Sequence, residues 1–77
     1  MDKAKLNFLK HLGKRIAMLR EKCGLSQADL ALECEKDRQS IHRLEKGGVN
    51  PSIYYLLQIA KALNVSLSEL LDYKELQ

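Results

Sequence analysis

The sequence predicts an all-α domain of five short helices, and three observations lead there. Apolar residues recur at helical spacing and nowhere alternate as in a strand. Ser, Asp and Asn stand where helices would start, and Gly or Asn where they would stop. One Pro and four Gly leave little material for the many turns of an all-β fold.

The first helix is expected from Asn7 to Lys22. Leu9, Leu12, Ile16 and Leu19 step by three, four and three and continue to Cys23, with Lys10, His11, Lys14, Arg15 and Lys22 on other faces. Gly24 ends it. Ser26 with Asp29 three residues on forms a capping box for a short second helix, which turns Leu30, Ala31 and Cys34 inward. Asp37 caps a third helix over 38–46 that stops at Gly47-Gly48. Asn50-Pro51-Ser52 is a turn and a cap, after which Ile53, Leu56, Leu57, Ala60 and Leu63 keep helical spacing. Asn64 is a left-handed terminator. Ser66 and Glu69 form a second capping box, opening a last helix with Leu67, Leu70 and Leu71.

All 77 residues are expected in one domain, its core over about 7–72 and its tail, 74–77, frayed. A chain this short buries only ~60–65% of its unfolded surface, so an enclosed catalytic cleft or a separate ligand-sensing domain has no room. Phe8 and three Tyr are too few aromatics for a base-stacking platform. No apolar run approaches the ~18 residues of a membrane span, and no signal-peptide core is present, so a soluble cytoplasmic protein is expected. Cys23 and Cys34 are read as small buried hydrophobes. With only His11 and His42 to join them, they make no zinc pattern, and neither metal nor cofactor is expected. Cys34 and His42 are the one conceivable nucleophile and base. Core packing accounts better for Cys34, so the protein is read as no enzyme.

The net charge of +3 is unevenly spread. Residues 1–22 carry seven basic and two acidic groups, and residues 36–46 four and two, whereas 23–35 carry three acids alone. Basic charge in the first helix and one central segment fits a polyanion, or else a solvated basic face. The second and third helices, within about 26–46, are joined by so short a link that they must cross steeply, as in a helix-turn-helix unit. At about 100° per residue, Ile41 and Leu44 of the third helix point one way with Glu45 beside Ile41. Arg38, Gln39, His42, Arg43 and Lys46 gather opposite. Arg matches guanine O6 and N7, and Gln adenine N6 and N7, across a major groove. An ordinary polar surface would look similar.

Four stretches then carry a resemblance: residues 25–31 (LSQADLA), 40–47 (SIHRLEKG), 50–53 (NPSI) and 56–63 (LLQIAKAL). From about Gly13 to Leu71 the chain resembles the Cro/repressor-type, or Xre, helix-turn-helix family, which implies a lambda-repressor-like DNA-binding domain. By position, the resemblance implies that Arg38, Gln39 and Arg43 read base edges. Gln27 and Lys46 would meet phosphates, and Ser40 and His42 would flank the readers. Arg20 and Glu45 match a family ion pair. Glu35 stands where the family usually has Gly, so the turn must either differ or accept a strained left-handed residue at roughly 1–2 kcal/mol. Lys36, usually apolar, predicts a more solvated corner.

The expected function is a sequence-specific, double-stranded DNA-binding transcriptional regulator, a small repressor or autoregulating controller, with no small-molecule ligand. A homodimer is expected, joined around the last two helices through Leu67, Leu70, Leu71 and Tyr73, although these leucines could equally close the monomer core. The alternative is a protein-interaction module, such as an antitoxin-like subunit with secondary DNA binding.

Overall fold

The computed structural model describes residues 2–72 and 74. Five helices follow in order: α1 (Lys3–Lys22), α2 (Gln27–Glu33), α3 (Arg38–Glu45), α4 (Ile53–Ala62) and α5 (Leu67–Leu70). No strand occurs among the described residues. Each helix opens on a side chain that accepts a bond from an otherwise orphaned amide. Asp2 takes Ala4 N at 3.1 Å, Asp37 takes Ser40 N at 2.8 Å, and Ser52 takes Tyr55 N at 3.0 Å. Both capping boxes form, Ser26 with Asp29 and Ser66 with Glu69. The Asp2 cap starts α1 one turn before the expected Asn7, because Lys3 to Leu6 are all tolerated in a helix once its first amides are satisfied.

Four of the helices end alike. The residue after the cap takes positive φ, and the next amide bonds back to the carbonyl five residues earlier. Gly24 (φ 74°), Glu35 (54°), Gly47 (78°) and Asn64 (57°) occupy this left-handed position. The turn between α2 and α3 is therefore the usual one. Lys36 N reaches Ala31 O at 2.9 Å and Glu35 N reaches Leu32 O at 3.2 Å, so Glu35 carries the strain. Lys36 is exposed, as expected, and its Nζ lies 4.9 Å above the Tyr55 ring, a cation–π contact that ties the corner to α4.

Ile16, Leu30, Ile41, Leu44, Ile59 and Leu63 are buried at the centre, joined by Cys34 and Leu70. Burial pushes the Cys34 thiol up from its ordinary range. Cys23 departs from its expected burial and is exposed, its Sγ donating to Leu63 O at 3.4 Å. Ile53, the first residue of the apolar spacing in α4, is 67% exposed beside Tyr54 at 68%. Leu70 is fully buried within its own chain, which removes it from the expected dimer contact. Leu67 and Leu71 stay half-buried. Tyr73 lies outside the described residues. Among those described, no helix is long and apolar enough to cross a membrane.

Candidate nucleic-acid interface

The site is built on α3, and α1 fixes its depth. Gly13 of α1 sits directly on the last carbonyls of α3: a Cβ there would stand 2.8 Å from Leu44 O and would collide with Glu45 O. Only a residue without a side chain lets the helices approach so closely. Gly47 repeats this one turn on, where a Cβ would stand 2.9 Å from the Lys10 Cα. With Ile41 and Leu44 buried, α3 is held along its inner side and at its C-terminal end.

A polar network locks the same junction. Arg20 Nε donates to Glu45 Oε2 at 2.7 Å and Arg20 Nη2 to Glu45 Oε1 at 3.0 Å, a fork-to-fork pairing. Arg20 Nη1 donates to Leu25 O at 2.9 Å, bracing the link between α1 and α2. The two side chains are 12% and 6% exposed. The hydrogen bonds that Arg20 donates to Glu45 raise its pKa above the ordinary value, so the guanidinium stays charged. Glu45 Oε1 also accepts from Gln27 Nε2 at 3.0 Å. That bond orients the amide of Gln27, leaving its Oε1 to accept from Arg38 Nη1 at 3.0 Å. A four-residue chain thus runs from the interior to the first residue of α3.

Along the outer side of α3, Arg38, Gln39, Arg43 and Lys46 are exposed, and Ser40 and His42 are half-buried. Ser40 leans toward α4, where it lines a small recess with Arg43, Val49, Lys36 and Tyr55. Arg38, His42 and Lys46 instead border a cleft of about 480 Å³ together with Gln27 and with Lys14, Ala17 and Glu21 of α1. The basic arc of α3 therefore divides, with Arg38, His42 and Lys46 toward α1 and Arg43 toward α4. Gln27, expected to meet a phosphate directly, already spends its carbonyl on Arg38 and one amide proton on Glu45; the second amide proton remains for an external acceptor.

Lys14 escaped the reading of the sequence as a site residue. Its signal was present in the spacing: Lys14, Ala17 and Glu21 form one helical row adjoining the Gly13 and Arg20 row that faces α3. The arrangement offers charged and amide donors on a convex helix. Such a surface recognises a polyanion and the hydrogen-bonding edges it displays.

Known proteins resemble this chain in sequence and fold. The family profile described as helix-turn-helix matches residues 16–70. The control protein C.BamHI of Bacillus amyloliquefaciens is 37% identical over 62 residues, 79% of this chain and 76% of that protein. A helix-turn-helix-type transcriptional regulator of Sinorhizobium fredii is 34% identical over 65 residues, 84% of each chain. Among solved structures, the restriction-modification controller protein C.AhdI of Aeromonas hydrophila superposes with a TM-score of 0.78 at 37% identity, over 80% of this chain and 94% of its own. With a family match across most of its length, and helices α2 and α3 joined by the left-handed turn at Glu35, the chain belongs to the helix-turn-helix family.

Proposed function

We propose that this protein is a sequence-specific, double-stranded DNA-binding transcriptional regulator of the controller or small-repressor kind, working in the cytoplasm by occupancy and without a catalytic step. The observation that carries this reading is the outer surface of α3, where Arg38, Gln39 and Arg43 stand exposed on a helix whose inner side is held by Gly13 and by the Arg20–Glu45 pair. Rigid presentation matters because each bidentate base contact is worth ~1–3 kcal/mol only if its geometry is kept. Arg38, Gln39 and Arg43 read base edges. Lys46, His42 and Ser40, with the remaining amide proton of Gln27, hold the backbone on either side. The relatives named as controller proteins support the regulatory role.

One α3 helix reads only a few base pairs, so the protein acts as a homodimer with its recognition helices about 34 Å apart. Half-buried Leu67 and Leu71, together with exposed Ile53 and Tyr54, form the contact. Selection from random duplexes with the purified protein tests both statements. Enrichment of a palindrome is the expected result, and loss of its preferred bases in Gln39→Ala and Arg43→Ala, at roughly 1–3 kcal/mol each, ties the readout to α3. Recovery of no duplex at low salt would end the reading in favour of a protein-binding role.

A further inference from the structure

The family match begins at residue 16, yet α1 starts at Lys3 and runs for 20 residues without a break. More than three helical turns therefore precede the matched region. Their orientation is set by the cleft, in which Lys14, Ala17 and Glu21 face Arg38, His42 and Lys46. Followed toward the N-terminus in steps of four and three, the row of Lys14 passes through Lys10, Asn7 and Lys3. At about 100° per residue these four positions fall within an arc of roughly 60°. Lys10 is fixed in place independently, because its backbone abuts Gly47 at the end of α3, next to Lys46.

The three lysines are exposed, and among the described residues no carboxylate lies within ion-pair distance of any of them. Asp2, the acid nearest to Lys3 and Lys10 in sequence, is engaged in capping Ala4 N, and Glu21, the acid nearest to Lys14, lies 4.0 Å from Arg20. From Lys14 to Lys3 the row spans about 16 Å, whereas duplex DNA presents a phosphate charge every ~1.7 Å of its axis. A stiff row of that length reaches phosphates that α3 cannot. Lys5 and Lys22 lie on other sides of α1, about 90° or more around the helix from the centre of the row.

We infer that the row Lys3, Asn7, Lys10 and Lys14 is a second DNA-contacting element, a rigid basic stripe that grips backbone phosphates outside the segment read by α3 and lengthens the footprint of each protomer. It rests on the DNA-binding reading above. It adds affinity and register without sequence information, since phosphates are alike at every step.

The test compares two double variants of the full chain that lose equal charge from exposed positions: Lys3→Gln with Lys10→Gln on the stripe, and Lys5→Gln with Lys22→Gln away from it. Fluorescence anisotropy with a mixed-sequence duplex of about 30 base pairs, across a salt series, gives the log–log slope for each. The stripe variant is expected to bind with a slope shallower by about two per protomer, at ~0.9 for each lost phosphate contact. The off-stripe variant stays within about half a unit of the unmodified protein. Equal slopes for the two variants, or an unchanged slope in the stripe variant, would overturn the stripe while leaving the DNA-binding reading intact. No duplex binding by the unmodified protein at low salt would overturn that reading and the stripe together.

Discussion

Glu45→Ala removes the acceptor on which three donors converge. The Glu45 carboxylate takes two hydrogen bonds from Arg20 and one from Gln27, and its side chain is 6% exposed. Breaking a buried pair typically costs ~3–5 kcal/mol, because the surviving charge stays desolvated, whereas an exposed pair contributes ~1 kcal/mol or less. Glu45 lies close to the buried limit. Arg20, at 12%, retains some water and keeps its bond to Leu25 O, which tempers the loss. About 3 kcal/mol is expected for Glu45→Ala, equivalent to roughly 12–24 °C in Tm for a domain of this size. Arg20→Ala should cost a similar amount. The double variant, with no orphaned charge, should fall short of the sum by about 2 kcal/mol. Urea melts of the four proteins measure this coupling, with equal m-values as the check that all unfold from the same state. A coupling below about 0.5 kcal/mol would refute the reasoning, because neighbours in one buried network couple by more than that. Stability should also travel with function. Without Glu45 the amide of Gln27 is free to turn, so Arg38 loses its tether, and under the proposed base-reading role of Arg38 discrimination should weaken more than affinity for random duplex.

Gly13→Ala drives a methyl into Leu44 O and Glu45 O, both backbone atoms, and should destabilise by roughly 1–3 kcal/mol or tilt α3, seen as a lower urea midpoint and weaker cognate binding. Glu35→Gly should raise stability by up to about 1 kcal/mol, since a left-handed residue loses its side-chain penalty there; an unchanged or lower Tm would show that the Glu35 side chain has a compensating role. The carboxyls of Asp29 and Asp37 are held below the ordinary range, chiefly by the Ser26 and Ser40 amides that they accept. A folded pKa below the unfolded value of ~3.9 means stabilisation that is present above that pH and fades as pH falls through the folded values. The Tm of an Asp29→Asn, Asp37→Asn variant should therefore drop less than that of the unmodified protein between about pH 5 and pH 2, and parallel curves would dissociate these caps from the acid response.

Local chemistry was legible along the chain. Ser26, Asp37, Ser52 and Ser66 announce their helices because a cap is settled by one side chain and an amide two or three residues away. Gly24, Gly47 and Asn64 mark the stops for the same reason. The polar arc of α3 was also readable, since a helix assigns faces by arithmetic alone. Asp2 was missed as a cap because no apolar periodicity begins directly behind it. Cys23 and Ile53 matched a helical stripe yet lie outside the core, since periodicity assigns a face without saying where the neighbouring helices end.

What the sequence by itself determined is the inventory: five helices with their caps and stops, the helix-turn-helix pair, and an α3 surface of donors. Arg20 and Glu45 could be matched by family resemblance, but 25 residues separate them, and their shared burial exists only where α1 crosses α3. The same crossing decides that Gly13 must lack a side chain, that Gln27 turns its carbonyl to Arg38, and that Lys14 borders the cleft. It also places Leu70 inside the monomer rather than on its surface. These outcomes depend on distances between segments remote in sequence. Such distances are set by how closely whole helices can approach, a property of the packed core that no local window contains.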